Sequence, residues 1–343
     1  MHELDRYIEY LQGRTSSPFT AHLNDRAPFR EWVRTNRARL QKLAHESGGE
    51  VDIDDFEAFL SREPPRPSRY ESTIARAIFT PLLKEVLAQA KEVNLGIKRG
   101  IIFANATNAG PGAMSVPSTH EHLLFAGAGT YMFCNYWAKV VANVALACRR
   151  AFGPRPITKR RLQQLWPQRV DLIATAVRLT MYSRLLGTVI GFGRLPTSAE
   201  AGGFRVELLS AMESFAVAHE VGHCFIEERE PSREASQEDE LSCDAYSWCI
   251  NRMIGMRDGN WSMASGAAAY TFLKAAAISN GRTVSREIET HPAATKRAVA
   301  IRQLAIESAA GRQAVAIRRY LKEIDVMFEE ISRRCDMVHV PRR

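Results

Sequence analysis

The chain lacks the features that mark several specialised protein classes. Its 343 residues contain six cysteines with no C-x-x-C pair and no framework spacing. This argues against a disulfide-stapled fold and favours reduced thiols in a cytoplasmic protein. The start of the chain is polar and acidic, without the basic and apolar segments of a secretory signal. We therefore expect no export by that route.

Aromatic residues are scarce and the excess of positive charge is modest. Aromatics make up 8% of the chain and the formal net charge is +8. Basic clusters such as Lys159-Arg160-Arg161 contain no interleaved aromatic side chains and match no nucleic-acid-binding motif. We therefore expect no nucleic-acid partner, although an acidic protein partner stays open.

The longest apolar stretch, from Leu123 to Ala147, is interrupted by polar residues. Asn135, Lys139 and Asn143 recur at intervals of four along it. Since residues four apart share one face of a helix, this pattern predicts a buried amphipathic helix rather than a transmembrane span.

Pattern and composition predict a mainly α protein with a small β-sheet. A chain of 343 residues can bury one large core or two small ones, and no internal repeat is evident. The proline-rich segment 63–68 reads as a linker, so we divide the chain into a helical N-terminal region and linker (1–70) and a main domain (71–343). Residues 101–104 form the clearest strand candidate, and the Gly-, Asn- and Pro-rich residues 105–118 read as a loop.

The stretch His219-Glu220-Val221-Gly222-His223 is an HExxH motif. Apolar residues upstream recur at steps of three and four, which predicts a helix over about 204–228. On that helix the two histidines share a face and can bind one Zn²⁺, while Glu220 can take a proton from a metal-bound water. The alternative is a helix with two solvated or otherwise satisfied histidines.

A third zinc ligand is expected from the acidic segment downstream. Pro231 ends the first helix, and Ser236 with Asp239 forms a capping box that opens a second helix. The two helices would form a hairpin that returns Glu240 to the histidines. Glu240 is the predicted third ligand and Asp244 the residue that orients a zinc-bound histidine, with Asp244 as the competing ligand.

These motifs resemble those of the gluzincin metallopeptidases. The chain carries HExxH, then Glu240-x-x-x-Asp244, then His291-Pro292 with Arg297 in an HPxxxxR pattern like that of HtpX-type endopeptidases. The likeness covers about 205–305 and implies a zincin-like core. It also implies that His291 and Arg297 lie beside the zinc, where they could steady the substrate or stabilise the oxyanion. HtpX-type enzymes carry transmembrane helices, whereas this sequence shows no clear span and predicts none. Its size and the position of HExxH are similar, more weakly, to Lit-type phage-exclusion peptidases.

The expected function is hydrolysis of peptide bonds by a soluble, cytoplasmic zinc endopeptidase. One Zn²⁺ would lower the pKa of its water toward about 7 and polarise the scissile carbonyl. Glu220 would be the general base, and the substrate a protein or peptide, such as a dedicated intracellular target in phage exclusion or stress response. The alternative is a regulatory or sensor protein that uses the zinc-bound fold to bind a partner. Oligomeric state is left open by the sequence.

Overall fold

The computed structural model describes residues 3–15, 31, 34–46, 73–105, 112–115, 121–189, 192–193, 195–231, 236–257, 266–280 and 292–337. Within these ranges the chain is mainly helical with one small sheet, which confirms the predicted class at that level. The elements in chain order are α1 (Glu3–Thr15), α2 (Arg37–Glu46), α3 (Thr73–Glu92), β1 (Gly100–Asn105), β2 (Gly112–Ser115), β3 (Glu121–Ala126), α4 (Ala128–Phe152), α5 (Lys159–Leu165), α6 (Val170–Leu186), α7 (Ala199–Arg229), α8 (Gln237–Arg257), α9 (Ala268–Asn280), α10 (Ala294–Glu307) and α11 (Gly311–Met337).

The sheet has three strands in the order β1-β3-β2. β1 pairs in parallel with β3, and β2 pairs antiparallel with β3. The prediction of a loop over 105–118 is wrong at 112–115, which form β2. The predicted start of a helix at Leu123 is also wrong, because Leu123 and Leu124 are fully buried in the central strand β3. A strand that is buried on both faces has a continuous run of apolar residues. The spacing of apolar residues cannot distinguish such a run from a segment of a buried helix.

Helix α7 is the central element of the described structure. It packs against α3, α4, α8, α9 and two strands of the sheet, β2 and β3. It begins five residues before the predicted start, where the Ser198 hydroxyl caps it by accepting a hydrogen bond from the backbone N–H of Ala201. Residues 212–222 are buried on every side. The HExxH segment therefore lies on an interior helix whose position is fixed by its neighbours.

The predicted helical hairpin is present. The Ser236 backbone N–H donates to the Asp239 carboxylate at 2.8 Å, and the Asp239 N–H donates to the Ser236 hydroxyl at 3.3 Å, which confirms the capping box. The two helices approach closely at Gly222, where an added Cβ would lie 3.2 Å from the Cα of Cys243. Absence of a side chain at Gly222 thus allows α8 to approach α7 closely beside the HExxH segment.

The polar residues of α4 make internal contacts. Asn143 donates to the carbonyl of Pro196 at 3.0 Å, and Asn135 accepts from Arg205 at 3.2 Å. Lys139 is buried. None of the helices in the described ranges is both long enough and apolar enough to cross a membrane.

The N-terminal helix α1 packs on the sheet. Its Ile8 is buried in a small cluster with Ala104 of β1 and Leu123 of β3. The predicted boundary at residue 70 lies outside the described residues, so the division into 1–70 and 71–343 stays a prediction.

Candidate metal centre

Three side chains from α7 and α8 converge on one point. His219 and His223 lie one turn apart on α7, and Glu240 lies in the first turn of α8. The Nε2 atom of each histidine is 3.3 Å from a different oxygen of the Glu240 carboxylate. Two ligands that each lie about 2.0–2.1 Å from a tetrahedral ion are themselves about 3.3 Å apart. These three residues could therefore hold a metal ion with little rearrangement.

Asp244 contacts the far side of the His219 ring. It follows Glu240 by one turn of α8, and its Oδ1 lies 3.0 Å from Nδ1 of His219. In the neutral form of this imidazole, a proton on Nδ1 would be held by the Asp244 carboxylate, and the Nε2 lone pair would be directed to the point shared with Glu240. The structure thus separates the two acidic residues that the sequence left in competition. Glu240 faces both histidines, and Asp244 is placed to orient one of them.

Arg297 of α10 joins the two carboxylates. Its guanidinium makes a bidentate pair with Asp244, with distances of 2.8 Å from Nε to Oδ2 and 2.7 Å from Nη2 to Oδ1. A third nitrogen, Nη1, lies 3.0 Å from the Glu240 carboxylate. The structure therefore brings the predicted Arg297 into the site, while the predicted His291 lies outside the described residues.

Buried charges of both signs balance one another at the site. Burial raises the pKa of the Asp244 carboxyl, but hydrogen bonds from Arg297 and His219 outweigh it and hold that pKa below its ordinary value. Burial likewise opposes the ionised form of Glu240, and hydrogen bonds from both histidines keep its pKa well below the usual range. For His219, burial lowers the pKa, but Asp244 and Glu240 raise it to about 9. Without a metal, an imidazolium and a guanidinium thus offset two carboxylates.

Glu220 follows His219 in α7, so its side chain leaves the helix about 100° around the axis from the side chain of His219. It is 6% exposed. Burial raises the pKa of its carboxyl, and the nearby His219 and His223 lower it to a smaller extent. A carboxyl whose pKa is moved toward neutrality is suited to accept a proton and to release it again.

Two acidic residues of α7 with largely covered side chains were missed by sequence reasoning. Glu228 accepts hydrogen bonds at 2.7 Å from the backbone N–H groups of Lys98 and Arg99, and it lies 3.1 Å from Nε2 of His122. Glu213 is 7% exposed, and none of the described residues forms a hydrogen bond with its Oε1. The partners of Glu228 are more than 100 residues away in the chain, so no local pattern indicates them. For Glu213 the available signal is a charged residue between the apolar Met212 and Phe215.

Comparison of the chain with protein-family models, with curated proteins and with solved structures finds no match. The likeness to gluzincins therefore depends on the motifs in this sequence. To those motifs the structure adds a candidate ligand set that is already assembled from separate helices.

Proposed function

We propose that this chain is a zinc-dependent endopeptidase with a zincin-like core. The supporting observation is the convergence of His219, His223 and Glu240, with Glu220 beside the first histidine and Asp244 behind it. Two imidazoles and one carboxylate are a ligand set typical of hydrolytic zinc sites, in which the fourth position is left for water or substrate. A structural zinc site would use a fourth protein ligand, and the described residues offer only these three.

Each residue has a distinct role in the proposed hydrolysis. Zinc, when bound to the three ligands, would supply an acidified water and a polarised carbonyl. Glu220 accepts the proton of the attacking water and donates it to the leaving amine. The buried position of Glu220 favours this exchange, because desolvation raises its pKa toward that of the groups with which it trades the proton.

Asp244 and Arg297 are proposed to position the ligands. Asp244 fixes the tautomer and the orientation of His219, and Arg297 holds Asp244 and Glu240 in place by three contacts of 3.0 Å or less. The family likeness allowed Arg297 to stabilise an oxyanion. Its bidentate pairing with Asp244 instead supports a positioning role, since those donors are already engaged.

The sheet supports a peptide as the substrate. β2 lies against α7, and among the residues that the structure describes no strand pairs with its outer edge. An extended peptide can add to such an edge through backbone hydrogen bonds, which do not depend on the side chains of the peptide. We therefore propose protein or peptide substrates, in which the scissile bond would lie across the metal face of α7.

We place the proposed enzyme in the cytoplasm. All six cysteines are free, and five of them are buried. Reduced thiols are the normal state in that compartment. A dedicated intracellular target, of the kind cleaved in phage exclusion or stress response, is the proposed substrate class.

The test is the substitution Glu220→Gln. The amide keeps the shape of the side chain but cannot accept the proton, so we expect the variant to retain one zinc per chain while hydrolysis falls by about 10²-fold or more. Zinc is measured by atomic absorption, and hydrolysis by mass spectrometry of unfolded casein. The matched control is Glu207→Gln, because Glu207 is exposed on the same helix.

Each outcome bears on a different hypothesis. Full activity in Glu220→Gln contradicts the mechanism. Stoichiometric zinc without cleavage of any unfolded protein by the wild type supports the regulatory or sensor alternative. Protein that carries no zinc when purified without chelator would indicate a metal-free structural helix.

A further inference from the structure

The Glu228 carboxylate joins the C-terminal end of α7 to the sheet by close hydrogen bonds. Glu228 lies five residues beyond His223 on the same helix and its side chain is 8% exposed. Its two oxygens accept hydrogen bonds from the N–H groups of Lys98 and Arg99, each at 2.7 Å. One of these oxygens is also 3.1 Å from Nε2 of the fully buried His122. Glu228 therefore has three directional contacts with the sheet region.

These contacts hold the beginnings of both parallel strands. Lys98 and Arg99 directly precede Gly100, the first residue of β1. His122 is the second residue of β3 and pairs in register with Ile101. Because β3 also pairs with β2, a shift of its N-terminal half would move the edge strand β2 in the same direction.

An apolar cluster also joins α7 to the sheet. Val217 and Val221 of α7 pack in one cluster with Phe103 of β1 and Leu124 of β3. Apolar packing favours contact but is weakly directional, so a helix can slide along a strand at small cost. Hydrogen bonds to an ionised carboxylate are short and directional. The three contacts of Glu228 therefore restrain movement of the sheet along the axis of α7 more strongly than this apolar cluster does.

We propose that Glu228 is a positioning residue for the substrate. It fixes the separation between the metal ligands on α7 and the edge of β2, where an extended peptide would pair. This inference depends on the proposed peptidase function. It predicts that Glu228 matters for peptides long enough to reach β2 and matters less for substrates confined to the metal.

The test compares Glu228→Gln with Glu227→Gln on two sets of substrates. A glutamine at 228 has one carbonyl oxygen in place of two carboxylate oxygens, so its amide N–H₂ faces a backbone N–H and that contact is lost. Glu227 is a matched control because it is adjacent and its side chain is 38% exposed. Its carboxylate lies 3.9 Å from the His122 ring, compared with 3.1 Å for Glu228. The substrates are random-sequence octapeptides and random-sequence capped dipeptides.

We expect Glu228→Gln to lower kcat/KM for octapeptides about ten-fold more than for capped dipeptides, mainly through KM. In Glu227→Gln the ratio between the two substrates should stay within about two-fold of the wild type. Loss of folding or of zinc would lower both activities together, and zinc content and circular dichroism are measured on the same samples. An equal change for both substrates in a folded, zinc-loaded Glu228→Gln protein overturns the proposal.

A binding measurement separates this inference from the proposed function. Fluorescein-labelled octapeptides are titrated into Glu220→Gln and into the double variant Glu220→Gln/Glu228→Gln, and anisotropy gives Kd. We expect Kd about ten-fold higher in the double variant. If Kd is unchanged, the positioning role of Glu228 is wrong. If octapeptides bind as expected but the wild type cleaves neither substrate, the peptidase function is wrong instead.

Discussion

Replacing Glu213 with glutamine should stabilise the protein at alkaline pH. Glu213 lies seven residues before Glu220 on α7, and its buried Oε1 has no hydrogen-bond partner within the part of the chain that the structure describes. Burial raises the pKa of its carboxyl from 4.5 to about 8, although the positive charge of Arg205 opposes the shift. The folded protein therefore keeps a proton on Glu213 at neutral pH, where the unfolded chain has released it.

The sign and the size of the effect follow from this difference in pKa. An acid with a raised pKa in the folded state makes stability fall as pH rises from 4.5 to about 8, after which the loss is complete. At about 1.4 kcal/mol for each pKa unit, the full loss is about 5 kcal/mol, and about 3 kcal/mol of it is present at pH 7. Glutamine has nearly the same shape and does not ionise. The variant should therefore match the wild type at pH 5 and exceed it by several kcal/mol at pH 9.

Urea unfolding followed by far-ultraviolet circular dichroism at pH 5, 7 and 9 measures the difference. The control is again Glu207→Gln, an exposed position on α7 that should change stability by no more than about 0.5 kcal/mol at any pH. A difference in unfolding free energy between Glu213→Gln and the wild type that is the same at all three pH values would refute the reasoning. It would show that Glu213 is ionised or protonated equally in both states.

Two further substitutions test how the metal centre is assembled. Gly222→Ala places a Cβ 3.2 Å from the Cα of Cys243, so we expect the α7–α8 hairpin to open slightly. The free energy of unfolding, measured in urea, should fall by about 1–3 kcal/mol, and zinc should bind more weakly. Unchanged stability would contradict the close packing. Asp244→Asn weakens the hold on Nδ1 of His219 and should reduce zinc affinity about 10- to 100-fold in competition with a fluorescent chelator. An unaltered affinity would show that His219 is oriented by something other than Asp244.

The sequence predicted the parts of the site that follow from local spacing. His219 and His223 share a face because they are four apart on a helix, and the capping box at Ser236 marks where α8 begins. Placing Glu240 near the histidines required only that two adjacent helices fold back on each other. Each of these steps spans a few tens of residues and depends on geometry that is the same in every helix.

The sequence failed where distant segments meet. β2 consists of Gly-Ala-Met-Ser, which has little intrinsic strand preference and forms a strand because β3 lies beside it. The pairing of His122 with Glu228 links residues 106 positions apart and leaves no periodic signal. The burial of Glu213 has the same origin, because it results from the packing of α4 on α7.

The three candidate ligands differ in their access to solvent, and this has a kinetic consequence. His223 is 32% exposed, while His219 and Glu240 are 8% and 3% exposed. A metal ion that bound to this set would meet His223 first and would reach the other two ligands only after losing most of its hydration shell. It would leave in the reverse order, so His223 would be the last ligand to release the ion to a chelator in solution. Exchange of the metal should therefore be governed by the mobility of one imidazole, and it can be slow even where equilibrium affinity is moderate.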